Sequence, residues 1–206
     1  MRIFLIRHGE TDVNASKKFQ GITDEPLNEA GIRQSRLLAK KLSKEKIDAV
    51  YSSALARACQ TAEEIAKLHG LKVIKRQELN EVDYGEWEGK SPQEIEKIWP
   101  GKFMEREKDL RSKYKFRPPG GETYGEMEQR VRPFFEELVK NHQGQTVVIV
   151  SHGAVKRSLL RMLLGIDFHE LPGERFHNTG LTLVEKTEKG MEMRYYNSRE
   201  HLSNDK

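Results

Sequence analysis

Six short apolar runs recur along the chain, at residues 2–6, 47–51, 71–74, 146–150, 181–185 and 191–196, each of a length that suits a β-strand. The first and fourth are almost continuously aliphatic, as expected of strands covered on both faces. Between the runs the spacing changes to helical. Residues 29–42 put Ile32, Ser35, Leu38 and Leu42 on one face, and residues 55–68 form a second helical pattern closed by Gly70. Strands alternating with helices predict a doubly wound α/β sheet. The last two runs are joined through Glu188, Lys189 and Gly190, which reads as a hairpin, so at least one strand should be antiparallel.

Two capping boxes mark helix starts in the middle of the chain, one from Ser91 to Glu94 and one from Thr123 to Glu126. The second helix should reach about Asn141 with Met127, Val131, Phe134 and Leu138 inward. Pro133 lies inside it and removes a backbone donor, which predicts a kink between residues 130 and 133. No repeat, low-complexity tract or interdomain linker interrupts the pattern, so 206 residues are expected to form one domain.

Apolar residues are 36 % and charged residues 33 % of the chain, a hydrophilic balance that the recurring apolar runs keep within the globular range. No apolar stretch approaches the ~20 residues of a bilayer span, and the chain opens on a strand-like run with no signal-peptide core, so a cytoplasmic location and no membrane partner are expected. The lone cysteine, Cys59, sits among alanines in a helical pattern and reads as a small buried hydrophobe. The formal charge of +4 is uneven: residues 90–117 hold nine basic and five acidic side chains, which accounts for all of the excess.

Chemistry gathers at the ends of the runs. The first ends in Arg7, His8, Gly9, Glu10, Thr11 and the fourth in Ser151, His152, Gly153. Ligands of open parallel sheets bind beyond the strands' carboxyl ends, so both His-Gly pairs would meet in one crevice if those strands are neighbours. Glycine after each histidine permits a sharp turn and a close approach of backbone N–H groups to an anion. The second run is followed by Ser52, Ser53 and, one turn into a helix, Arg57. With Arg7 it could clamp a dianion, although either arginine alone would read as a surface ion pair. Glu81 follows the third run, an unremarkable position for a loop glutamate.

In this order the motifs resemble the histidine phosphatase superfamily, the group that contains cofactor-dependent phosphoglycerate mutase, fructose-2,6-bisphosphatase and α-ribazole phosphatase. The resemblance rests on R-H-G-E-T at residues 7–11 with Asn14 and Phe19, Gln20, Gly21; on P-L-N-E-A-G at 26–31; on S-S-x-L-x-R-A-x-x-T-A at 52–62; on Leu79, Asn80, Glu81 with G-E-W-E-G at 85–89; on P-G-G-E-T at 119–123; and on S-H-G at 151–153. It implies a three-layer α/β/α sandwich on a six-stranded, mostly parallel sheet with one antiparallel strand. It also implies His8 as nucleophile, Arg7, Arg57 and His152 as the phosphate pocket, Glu81 as acid and base, and Asn14, Gln20, Gly21, Tyr84 and Gly153 as substrate-binding positions.

On that resemblance a neutral His8, its other ring N–H held by a backbone carbonyl, would attack phosphorus, with charge met by Arg7, Arg57 and a protonated His152. Neither metal nor cofactor is called for, since no cluster has ligand spacing. Of the remaining histidines, His69, His142, His169 and His201 read as surface or packing residues and His177, beside Asn178, as a weak pocket candidate. The phosphatase branch, similar to α-ribazole and broad-specificity phosphatases, is favoured over a mutase. Mutases usually have arginine directly after the acid glutamate, where Val82 stands here, and carry adjacent arginines that residues 90–117 lack. A basic nucleic-acid-binding protein with a vestigial site is disfavoured because bases alternate with acids in that segment, so no nucleic-acid partner is expected. Residues 90–117 read as a lid whose charge suits a small phosphorylated substrate bearing a second anionic group, against the alternative of a solvated helix pair laced with ion pairs.

Overall fold

The computed structural model describes residues 1–167, 170–172 and 175–203. Six strands, β1 (Arg2–Arg7), β2 (Ala49–Ser53), β3 (Val73–Arg76), β4 (Thr146–Ser151), β5 (Leu181–Thr187) and β6 (Gly190–Ser198), form one sheet in the order β3-β2-β4-β1-β5-β6. β1, β2, β3 and β4 are parallel neighbours, while β5 is antiparallel to both β1 and β6. The expected sheet, with its single antiparallel strand and terminal hairpin, is the one observed.

The aliphatic runs of β1 and β4 are continuous because each face of the sheet is covered. Alternate residues point to opposite faces: Ile3, Leu5, Val147 and Ile149 pack under α7 (Tyr124–Asn141) and α8 (Gly153–Leu164), whereas Phe4, Ile6, Val148 and Val150 pack under α2 (Glu29–Leu42) and α3 (Ala56–Leu68). All eight are at most 1 % exposed, and burial of each stabilises by about 1.5–3 kcal/mol relative to solvent. That gives the three layers. α2 turns Ser35, Leu38 and Leu42 fully inward, while Ile32 is only half-buried.

Both capping boxes form, at Ser91 for α4 (Pro92–Ile98) and at Thr123 for α7. Helix α7 runs unbroken through Pro133 as one element. α3 ends as expected, with Gly70 left-handed and the Leu71 N–H donating to Ala66 O. α1 (Asp12–Ala15) follows β1, and α5 (Lys102–Glu107) and α6 (Leu110–Lys115) complete the segment between β3 and α7. Cys59 is buried as anticipated. No helix among the described residues is long and apolar enough to cross a membrane.

Candidate functional site

The pairing of β1 with β4 places Arg7 opposite Ser151, so His8 and His152 leave adjacent strands side by side, their ring centroids 5.0 Å apart. The two crevice histidines of the sequence therefore do meet. His8 Nδ1 lies 2.7 Å from Gly9 O. A carbonyl only accepts, so Nδ1 carries the proton and a neutral ring keeps a lone pair on Nε2. Burial, then the charges of Arg7 and Arg57, hold the His8 pKa well below the usual imidazole range. His8 is a neutral imidazole at pH 7.

Arg7 and Arg57 are both buried, which pulls each guanidinium down to about pKa 10 and leaves it charged at neutral pH. Neither floats. Arg7 donates to Phe176 O (2.9 Å); Arg57 donates to Gly21 O (2.6 Å) and Thr23 O (2.7 Å) through its two terminal nitrogens, and to His152 Nδ1 (3.3 Å) through Nε. The last bond fixes the His152 tautomer, because the arginine can only donate. Nδ1 must accept, so the ring proton sits on Nε2, 2.8 Å from Ser53 Oγ, which in turn donates to Asn80 Oδ1. Burial and Arg57 hold the His152 pKa well below its usual value. The expected protonated His152 is thus corrected to a neutral ring that buttresses Arg57.

Gly9 acts differently from expectation. Gly9 N–H donates to Thr61 Oγ1, and a Cβ on Gly9 would come 2.6 Å from Gly31 O. A Cβ on Gly31 would in turn collide with Glu10 O. The nucleophile loop and the start of α2 touch backbone to backbone, and glycine is needed for that contact rather than for an anion. Gly21 has φ +56° and presents its carbonyl to Arg57.

Gln20 Oε1 accepts from Thr11 Oγ1 (3.1 Å) and Asn14 Nδ2 (3.2 Å), which leaves its buried Nε2 without a partner among the described residues. That donor is on a cavity-lining side chain. Asn178 was missed in the sequence: its Nδ2 donates to His8 O, Gly9 O and Asn14 Oδ1 at 2.8–3.1 Å, tying the nucleophile loop to α1. His177 beside it is exposed and does not line the cavity. Among the other histidines, His142 Nε2 bonds Tyr51 OH, His201 Nε2 bonds Thr179 Oγ1 and His69 is half-buried; His169 lies outside the described residues. Lys156 was also unforeseen. Its buried Nζ donates to Gly180 O (2.6 Å) and lies 4.4 Å from the centre of the Phe176 ring, which braces the 176–180 turn behind Arg7.

Glu81 arrives from the turn after β3. Arg130 holds that turn by donating to Glu78 O, Asn80 O and Glu81 O while pairing with Glu122. The Glu81 carboxylate accepts from Val82 N–H (3.0 Å) and Ala154 N–H (3.3 Å), so it caps α8, whose own N-cap, His152, supplies no side-chain bond. Gly153 adjoins it: a Cβ there would sit at ordinary contact distance, 3.7 Å, from Glu81 Oε2.

These groups open onto a cavity of about 410 Å³. Nine of the ten residues singled out in the sequence line it, namely Arg7, His8, Asn14, Gln20, Gly21, Arg57, Glu81, Tyr84 and Gly153; His152 lies behind Arg57. The lining carries eight basic side chains against two carboxylates, Glu81 and Glu107. Residues 90–117 contribute little of that excess, since only Arg106, Lys113 and Glu107 among their charges face the cavity, and Arg111 is exposed elsewhere. Arg106 is buried among the rings of Phe19, Tyr84 and Tyr124, 5.4–5.6 Å from each centre, and donates to Tyr124 OH. Glu107 pairs with both Arg106 and Lys113.

Comparison with known proteins gives one consistent picture. The description "Histidine phosphatase superfamily (branch 1)" matches residues 3–199. The chain is 35 % identical to Phosphoserine phosphatase 1 of Hydrogenobacter thermophilus over 92 % of its own length and 88 % of that protein's. It is 34 % identical to a Yersinia enterocolitica protein named Probable phosphoglycerate mutase GpmB, over 91 % and 86 %. Among solved structures, the α-ribazole phosphatase of Shigella flexneri superimposes with a TM-score of 0.83 at 30 % identity, covering 97 % of both chains. A mycobacterial glucosyl-3-phosphoglycerate phosphatase does so with 0.85 at 27 %, covering 96 % and 99 %.

Proposed function

Because the chain belongs to the histidine phosphatase superfamily, branch 1, and is a phosphatase within it, we propose that it hydrolyses small phosphomonoesters through a phosphohistidine on His8. The observation that carries this reading is the Nδ1 contact of a neutral, buried His8 with Gly9 O, which leaves Nε2 as the nucleophile beside two buried arginines. Nε2 attacks phosphorus in line and the bond to the leaving oxygen breaks, while Glu81 donates its proton to that oxygen. Water then gives a proton to Glu81 and attacks the phosphohistidine. The Nε2–P bond breaks, inorganic phosphate leaves, and both groups return to their starting forms.

Arg7 and Arg57 meet the charge of the equatorial oxygens, and the spare Nε2 donor of Gln20 suits one of them. His152 acts through Arg57, holding its Nε while Gly21 O and Thr23 O hold the fork. The arginines supply the neutralising charge, so the reading needs no metal. The eight cations of the lining suit a substrate with a second anionic group. Residues 90–117 serve as one wall, closed by Arg106 in its aromatic seat.

A mutase reading is favoured by the Yersinia relatives that bear that name. Against it, Val82 after the acid glutamate is fully buried in the core, so no cation at that position faces a rebound product. The test is phosphate release from a panel of phosphorylated metabolites, with and without chelator, alongside rapid alkaline quench of the enzyme to trap the phosphoenzyme. We expect chelator-insensitive phosphate release and an acid-labile, base-stable phosphoenzyme, both abolished in His8→Ala. Turnover by His8→Ala at the wild-type rate would refute the mechanism, and isomerised phosphoester without phosphate would favour the mutase.

A further inference from the structure

The substrate's second anion needs a partner, and the cations facing the cavity differ in whether they are already engaged. Arg7 and Arg57 belong to the phosphate end. Arg106 is bonded to Tyr124 OH and paired with Glu107, and Lys113 is paired with the same carboxylate at 2.6 Å. Glu107 therefore cancels much of the field those two would present. Arg157, on the first turns of α8, donates to Pro172 O and stacks at 5.3 Å on the Phe176 ring.

Lys17, Lys18 and Arg175 also line the cavity, and none of the three makes a side-chain hydrogen bond or ion pair with the described residues. Of these only Arg175, which is exposed, carries a planar guanidinium fork. Its backbone adjoins Phe176, whose carbonyl is the one Arg7 grips at 2.9 Å, so the side chain starts one residue from the phosphate end. After burial, Arg175 is the largest influence lowering the pKa of Arg7, and it also lowers that of His8. Its charge thus reaches the reacting end of the cavity uncompensated.

On the reading of the protein as a phosphomonoesterase, we propose that Arg175, flanked by Arg157 on the Phe176 wall, is the residue that recognises the second anion of the substrate, a carboxylate or another phosphate, rather than the lid cations Arg106 and Lys113. A guanidinium with its fork unoccupied can take a carboxylate bidentately, whereas Arg106 would first have to lose Glu107. The lid arginine then acts as the clasp that seats α5 against Phe19, Tyr84 and Tyr124.

The experiment compares kcat/KM for a phosphorylated carboxylic acid, 3-phosphoglycerate or phosphoserine, with that for an uncharged ester of similar size, propyl phosphate. In Arg175→Gln the ratio of the two should fall about three- to tenfold, mainly through KM, as expected for loss of one charge-assisted contact at a partly exposed position. Arg175→Lys should recover part of it, and the wild-type ratio should shrink with salt while that of Arg175→Gln changes less. Arg111→Gln, exposed and outside the cavity, should keep the wild-type ratio. An unchanged ratio in Arg175→Gln overturns the proposal, and an equal loss for both esters overturns it too, by placing Arg175 in the phosphate clamp. Absence of turnover of every monoester by the wild type would instead defeat the phosphatase reading itself.

Discussion

Replacing Glu81 by glutamine separates the proton from the shape of the group that carries it. The carboxylate accepts from Val82 N–H through Oε1 at 3.0 Å and from Ala154 N–H at 3.3 Å through the same atom, with the second oxygen a further 3.4 Å acceptor. A glutamine can keep its oxygen at Oε1 and so retain the two better bonds. What it loses is the longest contact, worth at most about 1 kcal/mol of stability. The fold should survive. Chemistry should not: an alkyl leaving oxygen deprived of its proton donor should leave about 10²- to 10⁴-fold more slowly. For p-nitrophenyl phosphate, whose leaving group needs no proton, the first transfer should stay near the wild-type rate. Rapid-quench measurement should then show a burst of one p-nitrophenolate per site followed by accumulated phosphoenzyme, because water attack also lacks its base. Equal slowing of the burst for alkyl and aryl esters would refute the assignment and leave Glu81 as a cap for α8 alone.

Stability should depend on pH through buried imidazoles. His8, His152 and His201 all have pKa values lowered by burial, His201 to about 4, so below the unfolded value near 6.5 the unfolded chain binds protons that the folded chain refuses. Their neutral forms cost nothing above pH 7, and stability should fall as pH drops from about 6.5 toward 4; urea midpoints that stay flat over that window would contradict the assignment. Gly31→Ala lies on α2 away from the cavity, yet its Cβ would strike Glu10 O. It should cost about 1–3 kcal/mol by overpacking and lower kcat by displacing the nucleophile loop, and an active, fully stable variant would show that the contact can relax freely.

Much of the site was legible in the chain because strand ends and short motifs fix it locally. His8 and His152 follow aliphatic runs that could only be central strands, and neighbouring central strands deliver their ends to one edge. Arg57 followed from the helix after β2. Glu81 was legible only through family resemblance, since nothing in its own surroundings distinguishes it from other loop glutamates. Asn178 and Arg175 were not legible, since neither belongs to a helix or strand whose period fixes which side chain turns inward, and Lys156, on α8, is a buried cation whose partner, Gly180 O, lies 24 positions away. His177 drew notice as the titratable residue there, while the amide next to it holds the loop. The protonated His152 failed for a related reason, because its state depends on Arg57 Nε, a tertiary neighbour 95 positions away. The lid's total charge was readable, but not that only Arg106, Glu107 and Lys113 of it face the cavity, because sequence reports totals and not directions or partners.

That distribution of charge has a consequence for how the protein behaves as an ion. Eight of its thirty-six basic side chains and two of its thirty-two acidic ones face the cavity, so the rest of the molecule carries slightly more acid than base. The formal +4 thus describes a recess rather than a surface. Occupation of the recess by a ligand with three or four negative charges would leave the complex close to neutral, and its electrophoretic mobility toward the cathode should nearly vanish although its outer surface is unchanged.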